Sequence, residues 1–161
     1  MKVAHCLLVT GCLGLAGAGT AAAQTATQTV TFQVDAVNQV GLAGSPTMAI
    51  TAAVAGNAPT TVTSSGHSWA VTTNQNTAKI TASIGTVMPT GLTLSAQLAA
   101  PAGATSDGLV PLSTTAADVV TGITKLNASG LSLSYQLNAT SSAGVISSTT
   151  RVVTYTITGG V

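Results

Sequence analysis

The stretch Leu131-Ser132-Leu133-Ser134-Tyr135-Gln136-Leu137 decides the fold class of this chain. Apolar and small polar residues alternate strictly along it, which is typical of a β-strand with one buried and one solvent-facing side. Nearly the same sequence stands 39 positions earlier, because Gly91–Leu98 reads GLTLSAQL and Gly130–Leu137 reads GLSLSYQL. The pattern therefore predicts two similar strands in one sheet-based domain.

The repetition extends upstream of these two strands. Ala78, Ile80 and Ile84 return at the same offset as Ala117, Val119 and Ile123, so segment 78–98 recurs as 117–137. One interpretation is a duplicated hairpin, with one copy in each of two sheets. The alternative is convergence of low-complexity strands on one pattern, and two copies are too few for a solenoid.

Further alternating segments are found at Val30–Val34, Ile80–Ile84 and Val153–Ile157, and turn-forming residues such as those at 73–76 and 127–130 separate the segments. We therefore predict an all-β fold, an antiparallel β-sandwich of immunoglobulin-like or pilin-like type with about 8–9 strands, as a single domain over residues 24–161. The predicted core includes Leu94, Leu98, Leu133, Leu137, Val153, Tyr155 and Ile157.

The first 23 residues have the features of a secretory signal peptide. Met1-Lys2 is basic, Val3–Leu15 is largely apolar, and Ala21-Ala22-Ala23 fits a cleavage site before Gln24. The apolar run is too short for a membrane span, so none is expected. Val9-Thr10-Gly11-Cys12 also fits a lipoprotein box, which stays open as an alternative. We expect a secreted bacterial protein, either extracellular, at the cell surface or periplasmic.

Charged residues are scarce after residue 23. Apart from two tyrosines, the ionisable side chains there are Asp35, His67, Lys79, Asp107, Asp118, Lys125 and Arg151, with no Glu and no Cys. General acid–base, nucleophilic and metal chemistry each need such groups in clusters, and no G-x-S-x-G motif surrounds a serine. The sequence therefore predicts no catalytic residues, no metal and no cofactor. Without a basic patch, nucleic acid is not an expected partner either.

Trp69 is a weak candidate for ligand contact. An exposed indole could stack on a sugar ring, which keeps carbohydrate open as a partner. A Trp on an alternating strand is, however, more often part of the core.

The uncharged Thr- and Ser-rich composition is the main functional indication. Edge strands of soluble proteins are usually protected by Lys or other charges, and this chain has few of them. One hypothesis is self-assembly into a fibre or layer, and the other is a weakly charged secreted domain adapted to an unusual medium. If the chain assembles, Val30, Phe32 and Val34 form the candidate donor strand that one copy lends to another.

The segments Lys79–Ser83, Met88–Gly91 and Arg151–Thr158 resemble those of small secreted bacterial surface β-proteins, and the whole layout is similar to that of pilin-like subunits. The resemblance implies a secreted structural or surface protein, such as a self-assembling subunit of a fimbria-like or matrix filament. The alternative function is a monomeric extracellular module that binds carbohydrate or adheres to a surface.

Overall fold

The computed structural model describes residues 22–160, and the chain divides between Gln33 and Val34 into two compact units. In the first unit, the described residues 22–33 form no helix and no strand. The signal-peptide prediction for residues 1–23 lies almost entirely outside the described residues and stays a prediction.

The second unit is built from β-strands, with one short 3-10 turn at Ser141–Ala143. Alternating apolar residues favour the strands, and turn-forming Gly, Asn and Pro residues lie between several of them. In chain order the strands are β1 (Asn38–Ala43), β2 (Val62–Thr73), β3 (Asn76–Ile84), β4 (Leu92–Leu98), β5 (Thr105–Ser106), β6 (Val110–Pro111), β7 (Ala117–Ile123), β8 (Leu126–Ala139) and β9 (Val153–Gly160).

The strands form two antiparallel sheets. The first sheet has the order β1-β2-β8-β4-β6 and the second has the order β5-β7-β3-β9. Their apolar faces share one core, in which Trp69, Ile80, Leu98 and Ile123 are almost fully buried. The all-β prediction with two antiparallel sheets is confirmed, and the immunoglobulin-like or pilin-like class stays a prediction.

The predicted faces of the strands are correct. Leu94, Leu98, Leu133 and Tyr155 are buried, whereas Ser132 on the opposite face is exposed. The other predicted core residues are only partly buried and pack against the edge of the core: Leu137, Val153 and Ile157.

The repeat does form two equivalent units, but not one hairpin per sheet. Each copy crosses between the sheets: β3 and β7 pair in the second sheet, and β4 and β8 pair in the first. Ala96 lies opposite Tyr135, and these two positions are equivalent in the repeat. Ile80 pairs with Val120, one residue from its own equivalent, Val119. An approximate two-fold axis therefore passes through both sheets, which favours duplication over convergence.

The turn predicted at 127–130 is wrong, because these residues lie inside β8. Trp69 pairs with Leu131 while Val71 pairs with Ala128, so β8 carries an extra residue there. Gly130 has a φ of 66°, which a Gly adopts without strain. Turn-forming residues here produce a β-bulge instead of a chain reversal.

The strand predicted at Val30–Val34 is not formed, since the first strand begins at Asn38. An alternating sequence becomes a strand only when a neighbouring strand lies in register beside it and supplies a ladder of hydrogen bonds.

Candidate functional site

The segment with the candidate donor residues presents apolar side chains to solvent. Val30, Phe32 and Val34 are 72%, 88% and 80% exposed, respectively. Large apolar side chains exposed in a row are uncommon on soluble domains and often mark a contact surface. Fully burying each one against a partner would contribute about 1.5–3 kcal/mol.

The chain that follows this segment is fixed to the turn between β2 and β3. The Asn74 side chain donates a hydrogen bond to the Asp35 carbonyl (2.7 Å) and accepts one from the Val37 backbone N–H (2.8 Å). The backbone N–H of Asn74 donates to the Val37 carbonyl at 3.2 Å. Residues 35–37 therefore lie at the end of the first sheet where β2 finishes.

An open apolar groove lies at the other end of the first sheet. It has a volume of about 780 Å³, and its lining residues are all uncharged. Its floor is formed by Leu92, Leu137 and Ala139, which stand on the core-facing side of β4 and β8. Burial along β8 falls from Leu133 and Tyr135, which are buried, to Leu137 and Ala139, which are only partly buried. The second sheet therefore leaves this end of the first sheet incompletely covered.

One wall of the groove resembles a strand without a neighbour. Along Thr47–Thr51, Met48 and Ile50 are partly buried, and the residues between them are exposed. This is the burial pattern of a strand, yet the segment belongs to neither sheet. The lining also includes Ile146, from the irregular stretch before β9.

Trp69 is placed in the core. Its side chain is 1% exposed, and its indole N–H donates a hydrogen bond to the Ala99 carbonyl at 3.2 Å. Its ring therefore presents no face on which a sugar could stack. Tyr135 and Tyr155 are also buried, which leaves Phe32 as the exposed aromatic residue among those described.

A polar cluster lies at one margin of the core. A β-bulge at Gly66 places Ser64 and His67 on the same face of β2, and Ser64 Oγ lies 2.8 Å from His67 Nε2. The imidazole meets the Tyr135 ring edge-on, with ring centroids 6.2 Å apart. A Cβ at Gly44 would clash with Nδ1 of His67, so this glycine packs closely on the ring.

The cluster continues through two tyrosines. The Tyr155 hydroxyl donates a hydrogen bond to the Tyr135 hydroxyl at 3.0 Å. Burial raises the pKa of the Tyr155 hydroxyl far above its ordinary value, and the bond to Tyr135 raises it further. Burial also raises the pKa of Tyr135, which the bond from Tyr155 partly opposes. Both hydroxyls are therefore neutral and structural at physiological pH.

Few charges reach the outer faces of the sheets. Lys79 Nζ lies 2.9 Å from an Asp118 carboxylate oxygen, and these residues occupy equivalent positions of the repeat on β3 and β7. Both side chains are well exposed, so the pair contributes little to stability. The edge strands β1 and β9 carry no charged residue at all. Neither edge has the Lys that usually discourages pairing with another chain.

Residues 22–160 contain no group of three or more His, Cys, Asp or Glu side chains that could hold a metal ion. Over the same range, no helix is long and apolar enough to cross a bilayer. Comparisons of the chain with protein-family models, with curated proteins and with solved structures find no match.

The groove was not predicted from the sequence, although a signal for it exists. Thr47-Met48-Ala49-Ile50-Thr51 alternates as a strand does, and Leu92 and Leu137 stand at the ends of the predicted strands. The incomplete burial of Leu92 and Leu137 depends on how far the second sheet extends. The alternation of apolar and polar residues along a strand does not indicate this.

Proposed function

We propose that this chain is a secreted structural subunit that assembles with copies of itself into a fibre or surface matrix. The observation that carries the proposal is the exposed apolar row of Val30, Phe32 and Val34, in a segment whose sequence alternates like that of a strand. Burial of this row against another copy would remove its unfavourable exposure to water.

The surface of the sheets supports the same role. The edge strands β1 and β9 are uncharged, so no charge on them discourages pairing with another copy. Outward positions of β9 are occupied by Thr154, Thr156 and Thr158, which are exposed and suit the pleated surface without repelling a neighbouring copy.

The alternative functions have less support. A carbohydrate-binding module needs an exposed aromatic platform, and Trp69 is buried. The Ser64–His67 contact has the residue types of a nucleophile and a base, but it lies at the margin of the core beside Tyr135. We therefore propose that these two residues stabilise the fold and take no part in catalysis.

Sedimentation velocity tests the proposal on the chain that begins at Gln24. We expect large species that increase with protein concentration, and we expect Phe32→Ser to abolish them. Val87→Ser is the matched control, because Val87 is also an exposed apolar residue (69%) but lies outside the donor segment. Assembly that Phe32→Ser leaves unchanged would contradict the proposed role of the segment.

A further inference from the structure

We infer that β9 pairs with β9 of a second copy across a two-fold axis at Tyr155, so that the second sheets of the two copies become one continuous sheet. The contact goes beyond the proposed function, because it does not involve the exposed row of Val30, Phe32 and Val34. It is symmetric, since both copies use the same surface and no strand leaves its own domain.

The edge formed by β9 is long, straight and uncharged. Among the strands of residues 22–160, only β3 pairs with β9, whereas the edge strands β5 and β6 are just two residues long. The pairing of β9 with β3 is regular from Val153 to Thr158, without the bulge that commonly protects an edge. This stretch also contains no charge and no proline, so nothing in it discourages another strand.

The hydrogen bonds around β3 show which backbone groups of β9 point to the outer edge. The N–H of Gly85 donates to the Val152 carbonyl at 3.1 Å, so this pair is a hydrogen-bonded one. The N–H of Ile84 instead turns away from β9 and donates to the Ser113 carbonyl at 2.9 Å. Bonded and non-bonded pairs alternate along an antiparallel ladder. The residues whose backbone groups point to the outer edge are therefore Val153, Tyr155 and Ile157.

These outward-pointing groups make β9 complementary to itself. With the axis at Tyr155, this residue lies opposite Tyr155 of the second copy, and Val153 lies opposite Ile157. Each of these pairs exchanges both of its N–H···O bonds. On the solvent face, Thr154 lies opposite Thr156, and paired threonines on neighbouring strands are favourable. A second copy therefore satisfies the whole regular edge at once.

The same pairing covers apolar side chains at the margin of the core. Val153 and Ile157 pack against the core but are only partly buried, and they belong to the last strand of their sheet. In the joined sheet, each lies beside the other from the second copy. The contact therefore removes apolar surface from water in addition to forming hydrogen bonds.

The neighbouring registers fit less well. The pairing of β9 with β3 shifts between Thr158 and Gly160, so a register moved in that direction leaves the regular stretch. A register moved in the other direction places Arg151 opposite Ile157 and brings a charge against an apolar residue. The axis at Tyr155 avoids both, because it pairs residues 152–158 only.

The other long uncharged edge, β1, is not complementary to itself in this way. The N–H of Asn74 donates to the Val37 carbonyl at 3.2 Å, so the backbone groups that point outward from β1 belong to the residues that follow Val37 at alternate positions, beginning with Asn38. An axis at Val40 would place Asn38 opposite Leu42, which sets a polar side chain against an apolar one. The symmetric contact is therefore assigned to β9.

Paired cysteines on the solvent face of β9 test this inference. The chain that begins at Gln24 contains no natural cysteine, and Thr154, Thr156 and Thr158 are exposed. Thr154 and Thr156 of two copies form a non-hydrogen-bonded pair with Cα atoms about 4.5 Å apart, which is within reach of a disulfide. A chain with both Thr154→Cys and Thr156→Cys should therefore give a covalent dimer after mild oxidation.

The matched control carries Thr156→Cys and Thr158→Cys on the same face of the same strand. Across the axis, these two positions are offset by about 13 Å along the strand. Two copies of Thr156→Cys are diagonal neighbours about 7–8 Å apart, which is too far for a disulfide. We expect the covalent dimer to be lost in this control.

A charge placed on the edge gives a second test that needs no cross-link. Phe32→Ser is present in every chain of this test, so that assembly through the exposed row does not obscure the result. Sedimentation velocity should show a dimer whose fraction rises with protein concentration, and Thr156→Lys should abolish it. Thr81→Lys is the control, because Thr81 lies beside Thr156 on the same face but one strand further from the edge.

The outcomes separate this inference from the proposed function. A covalent dimer from the first cysteine chain alone, together with loss of the dimer in Thr156→Lys alone, supports pairing at β9. If Phe32→Ser removes large species but the two cysteine chains cross-link equally or not at all, the proposed function stands and the pairing is wrong. If the dimer forms while the natural chain builds no large species, the pairing stands without the proposed function. Equal dimer fractions in Thr156→Lys and Thr81→Lys would also overturn the pairing.

Discussion

Leu133→Ala measures how much the alternating strand contributes to stability. Leu133 is 3% exposed and faces the core from the centre of β8, opposite Leu98. The carbons that Ala lacks account for about 2.4 kcal/mol of lost transfer free energy, at about 0.8 kcal/mol per methylene. The cavity left between two packed sheets adds to this loss, so we expect the free energy of unfolding to fall by about 2–5 kcal/mol.

Urea unfolding followed by tryptophan fluorescence is a suitable assay, because the single Trp69 is buried and becomes exposed on unfolding. Low protein concentration keeps self-association from contributing to the apparent stability. Leu94→Ala, at the equivalent position of the repeat, should have an effect of similar size, since Leu94 is 7% exposed.

Ser132→Ala is the matched control for Leu133→Ala. Ser132 is exposed on the outer face, so its substitution should change the free energy of unfolding by about 0.5 kcal/mol or less. Equal losses from Leu133→Ala and Ser132→Ala would refute the strand register, because a shift of one residue exchanges the two faces.

Two other predictions concern the tyrosine pair and the repeated glycine. The folded state raises the pKa of the Tyr155 hydroxyl above the ordinary value of 10.0. The stability that Tyr155 contributes is therefore fully present below pH 10 and is lost as the pH rises further. Above pH 10, the midpoint of unfolding should fall less steeply with pH in Tyr155→Phe than in the natural chain. Gly91 and Gly130 both have positive φ, but a Cβ at Gly91 would lie 2.6 Å from the Ala143 backbone nitrogen, whereas a Cβ at Gly130 meets open space. Gly91→Ala should thus destabilise the fold by more than Gly130→Ala, which carries only the backbone strain of about 1–3 kcal/mol. Equal losses of unfolding free energy from the two substitutions would show that the contact with Ala143 is not tight.

Alternation predicted the strand faces well because it reflects a local property. Leu94, Leu98 and Leu133 are buried as expected, since side chains two positions apart must share a side of a strand. The same rule failed for Val30–Val34, where the pattern is present and the strand is not. Strand formation also needs a neighbour, and no local pattern specifies where the neighbour is.

The repeat also shows that a local sequence pattern does not specify which strands become neighbours. Its existence was evident from Gly91–Leu98 and Gly130–Leu137, but its placement in the sheets was predicted wrongly. The link between β7 and β8 is only two residues long, which would suit a hairpin. It instead carries the chain from one sheet to the other, and Lys125 in that link has a φ of 39°. Such a crossing is decided by how the sheets pack.

The groove likewise depends on how the two sheets pack. Leu137 was predicted in the core with Leu133, yet it is only partly buried because the second sheet ends before covering it. The register of β8 and the extent of β3, β7 and β9 jointly leave this site open.

Electron microscopy of negatively stained protein tests the central claim of self-assembly most directly. The chain that begins at Gln24 should form filaments at high concentration, and the Phe32→Ser variant, which lacks the most exposed aromatic side chain, should give isolated particles. Uniform single-chain particles from both proteins at high concentration would contradict the account.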